Sequence, residues 1–281
     1  MEMKLNPFLG VSIKSTMLIS LISLDQIWLD KKANIDRCER LILEAIKSGS
    51  ELIVFPEMTL TGFTINAKEI EEKVDDSLTL DFFSEQASKH NVNIFFGAAL
   101  MSNYEDRAAN VLCIATPENG SKVLYKKIHP FSYVNEDKLY ASGNELGIIN
   151  LKNISIGLTI CYDLRFPELY SAMAKKVDVI IVIANWPKSR ISHWKTLLKA
   201  RSIENQCYMV GVNRIGKDGN GVEYEKSSMV ISPKGEIIPP RLTTSEIDVC
   251  NIDSNLVSKT RDEFPTLKDK RKSLYQDLLF S

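Results

Sequence analysis

Short apolar runs alternate along this chain with stretches whose apolar positions recur every three or four residues. The runs read as strands and the periodic stretches as helices. A strand is expected over Met17–Leu24, then a helix over Ala33–Ser48 with Ile35, Leu41, Ile42, Ala45 and Ile46 on one side. A buried strand Glu51–Phe55, a helix Asp81–His90 and a strand Val92–Leu100 follow. Ala109–Thr116 and Ser121–Lys127 read as a hairpin across Pro117-Glu-Asn-Gly120. Ile154–Ile160 runs apolar into Cys161, and Phe166–Lys176 has helical character. Val177–Ala184 is almost wholly β-branched, as in a strand covered on both faces. A helix over Ile191–Gln206, a strand Cys207–Asn213, a turn at Gly219-Asn-Gly221 and a hairpin about Pro233-Lys-Gly235, between Ser228–Ser232 and Glu236–Ile238, complete the pattern. Such alternation implies an α/β protein with mixed sheet and helical cover. With no internal linker or repeat, one domain over 16–281 is expected, preceded by an extension over 1–15.

Composition narrows the function. Hydrophobic residues make up 44% and charged residues 25%, enough to bury a sizeable core. A net charge of −1 argues against a polyanion, so no nucleic-acid partner is expected, and the basic run Lys268–Lys272 reads as a solvated face. Five scattered cysteines, Cys38, Cys113, Cys161, Cys207 and Cys250, include no CxxC pair. They point to reduced thiols and a cytoplasmic setting rather than a disulfide framework or structural zinc. The apolar run Met17–Leu24 is too short to span a bilayer and lacks a following cleavage site, so no membrane association is expected.

Three segments place a reactive side chain just past a strand. In Val54-Phe-Pro-Glu57-Met, Pro56 ends the ladder and leaves Glu57 beyond it. In Tyr125-Lys-Lys127-Ile-His-Pro-Phe131, lysine ends a hairpin arm. In Gly157-Leu-Thr-Ile-Cys161-Tyr-Asp-Leu-Arg165-Phe-Pro, cysteine sits at a corner before a helix. Strand ends of an α/β sheet gather at one rim, so carboxylate, ammonium and thiol can meet. Together they form an acyl-transfer set: thiol nucleophile, carboxylate base, and an ammonium to stabilise an oxyanion. The backbone N–H of Tyr162 is a second oxyanion donor in such a turn. No metal or cofactor is needed. Taken singly, each residue keeps a plainer reading: Cys161 as a core thiol, Glu57 as a cap, Lys127 as one of two exposed lysines.

The segments together resemble the nitrilase, or carbon–nitrogen hydrolase, superfamily. Phe55-Pro-Glu57-Met resembles its glutamate motif, and Tyr125-Lys-Lys127-Ile-His129-Pro-Phe131 its Tyr-x-Lys-x-His-x-Phe motif, which selects Lys127 over Lys126. Cys161-Tyr-Asp-Leu-Arg165-Phe-Pro resembles its cysteine motif. Asn185-Trp-Pro and the block His193–Gln206 also match, and the similarity runs from about Met17 to Pro265. Pro130 departs from the more frequent leucine of the lysine motif. The resemblance implies a four-layer α-β-β-α sandwich, a Glu57–Lys127–Cys161 triad and a homodimer. It also implies a second glutamate beside the lysine, matched by Glu136, whose plainer reading is a surface acid.

The Cys-Tyr-Asp-Leu-Arg-Phe-Pro form looks like bacterial omega-amidases, which hydrolyse the terminal amide of α-ketoglutaramate or α-ketosuccinamate. Such substrates carry a carboxylate, and Arg165 is the candidate clamp because guanidinium binds carboxylate bidentately. A structural or dimer-interface salt bridge is its alternative. Trp186 and Phe131 are expected to wall the pocket or to lie in the core. A deaminated-glutathione amidase, an N-carbamoyl amide hydrolase, a non-catalytic ligand-binding relative and a redox thiol are the competing functions.

Overall fold

The computed structural model describes residues 16–101 and 106–280; the expected extension over 1–15 lies outside them. The described strands form two large sheets. The first runs, in spatial order, Leu242–Thr243, Ile247–Asp253, Thr16–Ile22, Leu52–Val54, Asn93–Met101, Ala109–Thr116 and Gly120–Lys126, with Glu72–Lys73 also pairing to Asn93–Met101. The second runs Ile237–Ile238, Met229–Ile231, Tyr208–Asn213, Val179–Ala184, Ile154–Ile160 and Gly147–Leu151. Each sheet has a parallel centre: Thr16–Ile22, Leu52–Val54 and Asn93–Met101 in one, Ile154–Ile160, Val179–Ala184 and Tyr208–Asn213 in the other. Antiparallel strands flank both.

Side-chain alternation explains the layers. Ile19, Leu21, Val54, Phe95 and Leu112 of the first sheet meet Ile156, Leu158, Ile181, Ile183 and Val210 of the second in one buried core. The opposite face of the first sheet, with Ile22, Ile53, Ile94 and Phe96, packs on the helices Lys31–Lys47 and Leu78–His90. That of the second, with Ile180, Val182, Ala184 and Met209, packs on Pro167–Met173 and Ile191–Asn205. The result is the expected α-β-β-α sandwich.

Several boundaries shift for identifiable reasons. The first helix starts at Lys31 because the Asp30 carboxylate accepts from Ala33 N. The second starts at Leu78 because Ser77 accepts from Leu80 N, and it stops at left-handed Asn91. The helix expected over Phe166–Lys176 is shorter, Pro167–Met173, with Pro167 at its first position and a 3₁₀ turn Cys161–Arg165 before it. Gly147–Leu151 and Ile247–Asp253 are strands that the apolar pattern does not announce. The first closes on Ile154–Ile160 through Lys152 and Asn153, both at positive φ, as a two-residue hairpin requires. The second carries Asp248 and Asn251 within it, and Asp248 is neutralised by Lys226. The basic run Lys268–Lys272 is largely exposed, as expected. Among the described residues, no helix is long and apolar enough to cross a membrane.

Candidate active site

Glu57, Lys127, Cys161 and Asn185 each follow directly on, or close behind, the C-terminal end of a strand, and all four line one cavity of about 380 Å³. Glu57 is fully buried in a loop that crosses Gly97 closely: a Cβ on Gly97 would lie 2.5 Å from Met58 N and 2.9 Å from Glu57 Cα. The loop is tied down by Gln26, whose Nε2 donates to the carbonyls of Glu57, Met58 and Thr59.

Lys127 is 1% exposed. Its Nζ donates to Glu57 Oε1 at 3.1 Å and to Glu136 Oε1 and Oε2 at 3.1 and 2.9 Å. Burial alone would push this ammonium down, but the carboxylates of Glu136 and Glu57 reverse that and hold it above the usual lysine range. Asn110 Nδ2 donates to Glu57 Oε1 at 2.7 Å and to Glu136 Oε1 at 3.0 Å. Backbone donors complete the set: Asn185 N to Glu57 Oε2 at 2.8 Å, and Phe131 N to Glu136 Oε2 at 2.5 Å. Two carboxyl groups and one ammonium thus share a single buried hydrogen-bond cluster. The surface-acid alternative for Glu136 falls, since the residue is fully buried.

Cys161 borders the cavity at φ 46°, a left-handed conformation that costs a non-glycine residue about 1–3 kcal/mol. Asp163 holds the turn in place. Its buried carboxylate accepts from Ile160 N at 3.0 Å, His129 N at 3.0 Å, His129 Nδ1 at 2.8 Å and Tyr125 OH at 2.8 Å. One side chain thus fastens the cysteine turn to the strand that delivers Lys127. Burial pushes the Cys161 thiol well up, the Glu57 charge adds to the rise, and Lys127 opposes it. Both raising effects favour the neutral thiol at Cys161. Cys161 is not sealed in the core, although the other four cysteines are fully buried. Among the described residues, no group of three His, Cys, Asp or Glu side chains is placed to hold a metal ion.

Tyr162, Arg165, Trp186 and Phe131 also line the cavity. Among the described residues Arg165 makes no ion pair. Its guanidinium sits 4.7 Å from the Trp186 ring and 3.4 Å from His193 Nδ1, so a salt bridge within the chain finds no partner among the described residues. Trp186 is both core and wall, 2% exposed, with its Nε1 donating to Arg190 O. Phe131 stacks on Tyr133 at 5.7 Å and tilts against Tyr162 at 4.7 Å.

Sequence reasoning misses Asn110, Asp163, Gln26, Arg190 and the tie made by Asn185. Asn110 has a readable signal, being the one amide in the otherwise apolar run Ala109–Ala115. The others have none, because their partners lie in distant segments.

Comparison with known proteins agrees with this geometry. The family model for carbon-nitrogen hydrolases matches residues 18–262. The chain is 36% identical over 255 residues to omega-amidase YafV of Escherichia coli, covering 89% of this chain and 95% of that one. It is 30% identical over 259 residues to the 2-oxoglutaramate amidase of Bacillus subtilis, covering 92% and 98%. A carbon-nitrogen hydrolase superfamily protein from Xanthomonas campestris, crystallised with an arsenic adduct in its active site, superimposes with a TM-score of 0.82 at 30% identity, covering 91% and 97%. With its sandwich, its cavity and a family match over most of its length, this chain belongs to the carbon-nitrogen hydrolase family and is an omega-amidase-like enzyme within it.

Proposed function

We propose that this enzyme hydrolyses the terminal amide of a small α-keto acid amide, α-ketoglutaramate or α-ketosuccinamate, to the dicarboxylate and ammonia. The observation that carries the reading is one cavity lined by Glu57, Lys127, Cys161 and Arg165, with Glu136 buried against Lys127. The names of the relatives, omega-amidase and 2-oxoglutaramate amidase, support the same substrate class.

Glu57 accepts the Cys161 proton as sulfur attacks the amide carbon. The developing oxyanion is met by Lys127 Nζ and the Tyr162 N–H. Protonated Glu57 then gives its proton to the departing nitrogen, which leaves as ammonia and a thioester. Water, deprotonated by Glu57, cleaves the thioester and restores the thiol. Glu136 holds Lys127 in place through two hydrogen bonds. Arg165 takes the substrate carboxylate, and Trp186 and Phe131 shape the walls. The working enzyme is a cytoplasmic homodimer in this reading, and its partner is a small amide.

An ammonia-release assay over a panel of ω-amides tests it. α-Ketoglutaramate or α-ketosuccinamate should lead, and Cys161→Ala should abolish release while a thioester is trapped on Cys161 in the wild type. Turnover retained by Cys161→Ala would overturn the mechanism. Preference for deaminated glutathione or an N-carbamoyl amide would overturn the substrate assignment.

A further inference from the structure

A second arginine lines the same cavity. Arg190 ends the short 3₁₀ turn Lys188–Arg190, just before the helix Ile191–Asn205. Its backbone is held by the Trp186 indole, which donates to Arg190 O at 2.8 Å. Its guanidinium lies 5.7 Å from the Phe131 ring. Among the described residues Arg190, like Arg165, makes no ion pair.

Both arginines line the one cavity and both meet Trp186, whose ring lies 4.7 Å from the Arg165 guanidinium and whose Nε1 donates to Arg190 O. Burial lowers the Arg165 guanidinium from its usual range, and the charge of Arg190 lowers it further. Like charges lining one cavity, with no ion pair among the described residues, are an unfavourable arrangement for an empty site. An anion entering between them relieves the repulsion, and a cation adds to it. Apart from Glu57, the acid lining this cavity is Asp218, and it forms no ion pair with either arginine. Its oxygens already accept from Tyr224 OH at 2.8 Å, Asn220 N at 2.8 Å and Val222 N at 3.0 Å.

We infer that Arg190 is a second anion-recognising residue of this cavity, and that the Arg165–Arg190 pair selects an α-keto carboxylate over the matching α-amino carboxylate. The inference rests on the amide-hydrolase reading above and deepens it. An α-keto acid end presents only acceptors: two carboxylate oxygens and the adjacent oxo oxygen. Two guanidinium forks can share these three oxygens. An α-amino acid amide such as glutamine has the same length and the same amide, but it turns an ammonium towards two cations. The charge pair therefore rejects the amino acid while the nucleophile remains within reach of its amide.

The test compares wild type, Arg190→Gln and Arg190→Lys on α-ketoglutaramate and on glutamine. Wild type should prefer the keto amide. Arg190→Gln should raise KM for it by roughly tenfold or more, the effect of losing one charge-assisted contact, with kcat much less affected. The keto-to-amino preference should fall by a similar factor. Arg190→Lys, which keeps the charge and loses the fork, should fall between. An Arg190→Gln enzyme with unchanged KM and unchanged preference overturns the inference and leaves the amidase reading standing. If Arg190→Gln does not fold, Arg190→Lys carries the comparison. A wild type that releases ammonia from neither keto amide overturns the amidase reading. Calorimetric titration of 2-oxoglutarate into Cys161→Ala, with and without Arg190→Lys, then still reads the arginine pair: weaker binding with lysine supports it, and equal binding overturns it.

Discussion

The thiol of Cys161 and the carboxylate of Glu57 share one proton economy. Glu57→Gln removes the charge and the base together, and two readouts, thiol alkylation and amide turnover, separate their effects. Burial and the Glu57 charge both hold the thiol above its ordinary value of 9.0. In the wild type, the alkylation rate of Cys161 by iodoacetamide should therefore keep rising as pH climbs past 9.0. In Glu57→Gln one raising charge is gone while Lys127 still lowers, so the same curve should move to lower pH. Amide turnover should nevertheless collapse, because no group remains to accept and return the proton. A curve that moves to higher pH would contradict this field. Glu57 and Lys127 are legible in the sequence as candidates because proline before the acid and the end of a hairpin arm are local features. Asn110, which binds both carboxylates, is visible only as an amide in an apolar run, and its role depends on where Glu57 and Glu136 arrive.

Elements meet at the site through close backbone approach as well as through side chains. The strand Asn93–Met101 passes beneath the Glu57 loop at Gly97, where a methyl group would fall 2.5 Å from Met58 N. Neither partner is a flexible side chain. Gly97→Ala must therefore shift the loop or the strand, at a cost of about 1–3 kcal/mol. Thermal unfolding should occur at a lower temperature. kcat should fall beyond what the loss of folded protein explains, because Glu57 moves relative to Lys127. Unchanged kcat per folded enzyme would show that the loop absorbs the shift elsewhere. The cysteine turn depends on a second inter-element tie, Asp163, whose partners come from the strand Gly120–Lys126, from His129 just after it, and from Ile160. The motif Tyr-x-Lys-x-His and the motif Cys-Tyr-Asp are adjacent because of this one carboxylate. Motif spacing alone does not reveal it.

Across the whole molecule, two sheets with parallel centres bring their strand ends to one rim, and Glu57, Lys127, Cys161 and Asn185 follow four separate strands. The proposed homodimer belongs to this scale. Light scattering should give the mass of two chains, and a stable monomer with full activity would remove the dimer from the proposal. The apolar pattern by itself determined most strands and helices, the α/β class, and the motifs that mark Glu57, Lys127 and Cys161. These are local properties: side-chain period, chain-terminating proline, and the residue at a strand end. It missed Gly147–Leu151, which pairs through a two-residue turn, and Ile247–Asp253, whose acid is offset by a lysine from another segment. Tertiary structure alone decided that Glu136 is buried against Lys127, that Asp163 joins two motifs, and that Arg165 and Arg190 line one cavity with no ion pair among the described residues. Burial and charge pairing are sums over neighbours distant in the chain, so they exist only once the two sheets have packed.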